Sequence, residues 1–286
     1  MTDKQPNLEP GIYPGVQPEV YHTWQAVSHS WLHQLSMSPA HLLDMLDGGP
    51  RESTPTQVLG SAIHCAVLEP DQFDQRYAIR PEGESGATKA GKLFKAESEA
   101  AGLEVITDKD GRLCQAIARR AGNNTRMAAW LAGEHQTEVS LVWERDGYLC
   151  KARADLMVPT WSVLADLKTT ITASQHGFAG QVARYHYHQQ AAWYLDGIQR
   201  LTGRAWDFWF LPAEKRRPFL VSAQRLARDS AAHLMAVTRN DELFEQYKQC
   251  RDTRQWPGYP DVDEIELPEW ALNETGTGTD EIEEPF

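Results

Sequence analysis

Cysteine is scarce and never clustered in this chain: Cys65, Cys114, Cys150 and Cys250 form no CxxC pair and no metal-finger spacing. This excludes a zinc-finger or small disulfide scaffold and points to reduced thiols. Long hydrophobic runs are missing as well. No apolar stretch approaches the roughly 20 residues a helix needs to cross a bilayer. The opening "MTDKQPNLEPGIYPG" is polar and Pro-rich rather than a secretory leader. The expectation is a soluble, cytoplasmic protein with no membrane partner.

A surplus of positive charge is also absent, with 28 Lys and Arg against 40 Asp and Glu and a formal net charge of −12. Phosphate binding is led by Lys and Arg, so this balance taken globally argues against nucleic acid. Its location reverses the argument. The last 26 residues hold ten acidic residues and no basic one, leaving 30 acidic against 28 basic in the other 260. Residues 261–286 are therefore expected to form a disordered acidic tail, and the near-neutral body leaves DNA open as a partner.

What is present suffices for a sizeable core: 286 residues, 41% hydrophobic, with ten tryptophans. Residues 1–28 read as an extended N-terminal arm punctuated by Pro and Gly, and residues 29–260 as one domain. Ser30 and Ser38-Pro39 open two short helices, and "TPTQVLGSAIHCAVLEP" is an apolar helix bounded by Pro55 and Pro70. A Gly- and Lys-containing loop then feeds a helix, and "DKDGRLCQAIARRAGNN" is another helix with a basic end. From residue 137 the period changes to two, in "TEVSLVWE", "YLCKARADLMV" and "WSVLADLKTT", joined by short turns. This is an antiparallel three-strand meander. One long helical segment follows to Gly203, then two strands around a charged turn and a terminal helix. The order implies an α/β (α+β) domain with a central mixed sheet flanked by helices.

Within "WSVLADLKTT", alternate strand residues share a face, so Asp166 and Lys168 project together while Ala165 and Leu167 face the other way. Asp155 lies eleven positions earlier, on the preceding strand across a tight turn. Neighbouring strands are about 4.8 Å apart, so the two carboxylates can converge. Converging carboxylates repel unless a cation lies between them, and Mg²⁺ is commonly held by one or two Asp beside a substrate phosphate. An adjacent ammonium can orient or deprotonate a water and stabilise charge at phosphorus. The chemistry inferred is metal-assisted phosphodiester hydrolysis. An isolated D-x-K is otherwise an ordinary ion pair on a sheet, so the surrounding pattern decides.

Asp155, the step to Asp166-Leu167-Lys168, and "QAAWY" in the following helix resemble the PD-(D/E)XK nuclease signature, in its branch with a Q-x-x-x-Y motif. "LGSAIHCAVLEP" resembles the G-x-x-x-H helix preceding the core of the same branch. The likeness is to RecE (exonuclease VIII)-type phage and prophage exonucleases, which share segments like "SPAHLLDML", "TKAGK" and "LPAEKRRPF" at these relative places. It runs from about residue 29 to 225. The resemblance implies a restriction-endonuclease-like core in which Asp155 and Asp166 ligate Mg²⁺, with Mn²⁺ as a substitute, and Lys168 positions the attacking water. His64 would serve a second metal or the scissile phosphate, and the Leu167 carbonyl would help hold the metal. Gln190 and Tyr194, an i, i+4 pair, would contact the DNA backbone or brace the active-site strands. Glu138 resembles an additional acid of this branch. The family proline is Ala154 here, which is harmless because only the carboxylate chelates, and the second acid is Asp rather than Glu.

The activity so implied is an exonuclease that degrades double-stranded DNA from its ends, 5′ to 3′, leaving single strands for annealing and recombination. A ring-like homo-oligomer, a single-strand annealing protein as partner, and the cytoplasm of a bacterial host come with the same resemblance. Alternatives are a Cas4- or AddB-like nuclease, a restriction-type endonuclease, or a catalytically silent DNA-binding module. The first two usually carry closely spaced C-terminal cysteines, and only Cys250 lies there. Lys89, Lys92, Lys95, Arg119, Arg120 and residues 215–217 are candidate phosphate contacts. His186 and His188 are spaced i, i+2, which on one continuous helix would point them apart and exclude a chelate.

Overall fold

The computed structural model describes residues 8–49, 54–262 and 264–266. Most of the expected acidic tail, and residues 1–7, lie outside the described residues. The strands are β1 (Gly11–Tyr13), β2 (Tyr77–Ile79), β3 (Glu104–Ile106), β4 (Gln136–Arg145), β5 (Tyr148–Val158), β6 (Val163–Thr170), β7 (Asp207–Glu214) and β8 (Gln224–Leu226). The α-helices before the meander are α1 (Pro18–Thr23), α2 (His29–Met37), α3 (Pro39–Asp47), α4 (Pro55–Leu68), α5 (Phe73–Arg76), α6 (Lys89–Ala100), α7 (Asp108–Gly122) and α8 (Thr125–Ala132). After it come α9 (Gln175–Arg184), α10 (Tyr187–Thr202) and α11 (Ala231–Thr253).

A six-stranded sheet in the order β1-β4-β5-β6-β7-β8 is antiparallel at every step except β6–β7. Parallel neighbours need a crossover, and α9 with α10 supplies it. The β4–β5 hairpin closes on Asp146-Gly147, both at positive φ (50° and 80°), as a right-twisted two-residue turn requires. The α4 helix begins with a capping box: Gln57 N–H donates to Thr54 Oγ1, and Thr54 N–H to Gln57 Oε1, at 3.3 and 2.8 Å.

Two hydrophobic layers sandwich the sheet. One joins Leu141, Trp143, Phe208 and Phe210 of the strands to Leu32, Trp193 and Phe244 of α2, α10 and α11. The other joins Ala165, Leu167 and Leu211 to Ile63, Ile117 and Trp130 of α4, α7 and α8. The second layer confirms that Ala165 and Leu167 share a face. Helix α10 approaches the sheet closely enough that a Cβ on Gly197 would lie 2.6 Å from the Trp143 ring.

Three local expectations are corrected. The stretch read as an extended arm is partly bound to the sheet: β1 pairs with β4, and Tyr21 of α1 is buried. Lys151 Nζ donates to the carbonyls of Tyr21 and Trp24 at 2.9 and 2.8 Å, tying that segment down. The segment read as one long helix breaks at His186, whose φ of 55° is left-handed. A small parallel pair, β2 with β3, stands where only helices and loops were expected; three-residue strands carry no readable period.

Candidate active site

The site opens where the β5–β6 ladder stops. Pairing runs from Val158↔Val163 to Leu156↔Ala165 and ends there, one step short of setting Asp155 opposite Asp166. Beyond it, Leu167 N–H donates to Asp155 Oδ2 at 2.7 Å. The carboxylate thus replaces a strand-to-strand bond, and the Leu167 amide keeps a partner where the strands part. On the other side of β5, Thr137↔Leu156 and Val139↔Ala154 pair, while Glu138 between them sits at φ 52°. A left-handed non-glycine inside a strand is strained and must be held by its surroundings. Arg153 holds this one, donating from Nε to Glu138 Oε2 at 2.7 Å.

From the facing helix, His64 Nδ1 comes within 3.2 Å of Asp155 Oδ2. Ligand atoms of His64, Glu138 and Asp155 all lie within 4.8 Å of one another, the one group of three metal-ligating side chains so arranged among the described residues. Burial pushes the Asp155 carboxyl well above the usual carboxylate range, with the charges of Asp166 and Glu138 adding to it and Lys168 and the Leu167 N–H opposing. Burial also holds His64 below the ordinary imidazole value, outweighing the pull of Asp166 and Glu138. Burial thus disfavours the charged form of each partner, and a divalent cation, which takes the imidazole neutral and the carboxyl ionised, would offset that cost at Asp155.

Asp166, only 2% exposed, stands just outside this trio. Gln190 Nε2 donates to Asp166 Oδ1 at 2.9 Å and to Tyr194 Oη at 3.1 Å. Tyr194 is buried, so the Gln190–Tyr194 pair is placed to brace the carboxylate. Lys168 Nζ lies 2.6 Å from Asp166 Oδ2 without an aligned hydrogen bond, a contact of charge. Burial works against the Lys168 ammonium, but the Asp166 and Asp155 carboxylates outweigh it and raise its pKa. The two carboxylates thus favour the charged form of Lys168. Of Leu167, the N–H is taken by Asp155 and the side chain is buried in the second layer.

Two features escaped sequence reasoning. Tyr187 lays its ring 4.6 Å from Lys168 Nζ; its position just before Gln190 in "YHYHQQ" was a usable signal, obscured by the histidines. The break at His186 also removes the premise that His186 and His188 point apart, since their rings are 6.1 Å from centre to centre. His188 Nδ1 is engaged with the Val182 carbonyl at 3.1 Å. Gly60, four residues before His64, faces open space, with nothing within 4 Å of where a Cβ would stand. Lys89, Lys92, Lys95, Arg119, Arg120, Arg216 and Arg217 are exposed, and Lys95 pairs with Glu99 at 3.4 Å. Lys215 N–H bonds the Thr170 carbonyl at 3.0 Å, which sets the basic tract beside the end of β6.

Residues 28–267 match a family described as "PDDEXK-like domain of unknown function (DUF3799)". The chain belongs to this family. No curated protein matches it. Among solved structures it is similar to one titled "Putative exonuclease" from Eubacterium rectale, with a TM-score of 0.61 at 15% identity over 91% of this chain and 98% of that one. At that identity the likeness concerns the fold. A second solved structure, SSO0001, covers 76% of this chain and 85% of its own at 12% identity with a TM-score of 0.29, too low to argue from.

A divalent cation is the group this PDDEXK-like fold calls for, and the donor set fits one. Two half-buried carboxylates and an imidazole, with ligand atoms within 4.8 Å of one another, make a negative concentration balanced in part by Arg153 and Lys168. Carboxylate oxygens suit Mg²⁺ and Mn²⁺, and the imidazole nitrogen tilts the set toward the transition metal. His64, Glu138 and Asp155 would hold the ion, with Asp166 alongside. No described helix is long and apolar enough to cross a membrane.

Proposed function

We propose that the chain is a Mg²⁺-dependent nuclease, with Mn²⁺ as a substitute, that degrades double-stranded DNA from its ends and leaves single strands for annealing or recombination. The observation that carries the proposal is the His64–Glu138–Asp155 trio set against the Lys168–Asp166 pair where two strands part. When bound, the cation would polarise the scissile phosphate and raise the acidity of a water beside it. The protein's own residues do the rest. The Lys168 ammonium orients a water and stabilises the negative charge growing on the phosphate oxygens. Gln190 and Tyr194 keep Asp166 turned toward Lys168, and Arg153 keeps Glu138 in its strained conformation. Arg216 and Arg217, in the turn after β7 and next to Lys215, whose N–H bonds the last residue of β6, would take the DNA backbone.

End dependence, 5′ to 3′ direction, a ring-like homo-oligomer, a single-strand annealing partner and a cytoplasmic setting follow from the resemblance to RecE-type exonucleases. The name of the Eubacterium rectale protein is in keeping with the exonuclease part of that reading. The test offers linear and covalently closed circular duplex DNA with Mg²⁺. Mononucleotides released from the linear form alone support the proposal. Cutting of the circle makes the protein an endonuclease, and no cleavage of either leaves a DNA-binding module.

A further inference from the structure

The break between α9 and α10 builds something beside Lys168 that the hydrolytic site does not use. Residues two apart on a continuous helix point about 200° away from each other. Tyr185 and Tyr187 do not, because His186 between them adopts φ 55° and ψ 30°. Their rings come to 5.6 Å between centres with planes 32° apart. The inner ring, Tyr187, covers Lys168 Nζ at 4.6 Å and continues into the core against Phe178 and Phe210, each at 6.3 Å. The outer ring, Tyr185, is 49% exposed, and the Arg184 guanidinium lies 5.7 Å from its centre. From the far side, the His33 ring of α2 packs 5.6 Å from that of His186 and supports the kink.

Left-handed non-glycine residues held by their neighbours cluster at active sites and ligand clamps. A series of aromatic rings that leads from solvent to the active-site lysine, with a guanidinium at its open end, is the chemistry that stacks a nucleobase and steadies the adjoining phosphate. We infer that Tyr185, backed by Tyr187 and flanked by Arg184, is a stacking site for one unpaired base of the strand being cut, so that the nucleotide at Lys168 is engaged away from its complement. A base within a duplex is stacked on both faces and cannot use such a site. This inference rests on the nuclease reading and specifies the form of substrate it takes: a single strand, or a duplex end whose last base is open.

The experiment measures binding in EDTA, where hydrolysis contributes nothing. Single-stranded and blunt duplex oligonucleotides carry 2-aminopurine at the terminal position, and anisotropy and base fluorescence are read together. Wild-type protein is expected to bind the single strand and quench the 2-aminopurine. Tyr185→Ala should bind it about tenfold more weakly, the effect of losing one base stacked on an aromatic side chain, and should not quench. Tyr185→Trp should behave as wild type. Tyr185 is half exposed, so an unchanged melting temperature accompanies these variants. Equal affinity and equal quenching by wild type and Tyr185→Ala would overturn the stacking site alone. Failure of the wild type to bind the single strand would also overturn the stacking site, whereas the nuclease reading stands or falls separately on Mg²⁺-dependent cleavage.

Discussion

Replacing Asp155 by Asn should stabilise the metal-free protein while abolishing its response to metal. The amide oxygen of Asn can still accept from Leu167 N–H, so the bond that closes the parted strands at 2.7 Å survives. What goes is one negative charge within 4.8 Å of the Glu138 carboxylate. Two unit charges at that separation repel by about 3 kcal/mol at an effective dielectric of 20, and the Arg153 and Lys168 cations cancel part of this. A net gain of about 1–2 kcal/mol in EDTA at pH 8 follows. The gain depends on pH with a definite sign. The folded-state pKa of Asp155 lies above its ordinary 3.8, so the folded protein binds more protons than the unfolded one above that pH. Stability from this group is present at low pH and is lost as pH rises through the raised value. The advantage of Asp155→Asn should therefore grow on going from about pH 5 to pH 8. Thermal unfolding with and without Mg²⁺ or Mn²⁺ at both pH values is the assay. A variant less stable than wild type at pH 8 in EDTA, or one stabilised equally by metal, would refute the charge-crowding argument.

Other expectations follow from the same geometry. Gln190→Ala frees Asp166 Oδ1 and should lower metal affinity or turnover about tenfold, as loss of an outer support commonly does, in DNA-cleavage assays titrated with Mg²⁺. His64→Ala removes the one nitrogen donor of the trio and should narrow the preference for Mn²⁺ over Mg²⁺, read as the ratio of the two metals' dissociation constants. The Arg216→Ala, Arg217→Ala double variant should flatten the dependence of log affinity for duplex DNA on log salt by about 1–2 units, a phosphate contact being worth close to one. Gly197→Ala places a methyl 2.6 Å from Trp143 and should cost about 1–3 kcal/mol of stability in chemical denaturation.

The meander, the α4 helix and the shared face of Asp166 and Lys168 were legible because strand alternation and helix caps are local signals. The Q-x-x-x-Y spacing likewise put Gln190 and Tyr194 on one face of α10, where they are hydrogen-bonded. What was not legible depends on backbone states that tertiary contacts impose. Nothing in "TEVSLVWE" announces that Glu138 turns left-handed, yet that turn brings its carboxylate into the trio. His186 is the parallel case, and its kink alone makes neighbours of Tyr185 and Tyr187. The pairing of Gly11–Tyr13 with β4 links segments far apart in sequence, and three residues of a Pro- and Gly-rich stretch carry no pattern that would foretell it.

The central claim is that a metal held by His64, Glu138 and Asp155 cuts DNA under the charge of Lys168. End-labelled linear duplex DNA, incubated with wild type, Asp155→Asn and Lys168→Ala in Mg²⁺ and in EDTA, tests it most directly. The account predicts shortening of the strand by wild type in Mg²⁺ only, and an intact label with either variant. An inert wild type, or a Lys168→Ala protein that digests as fast, would contradict it.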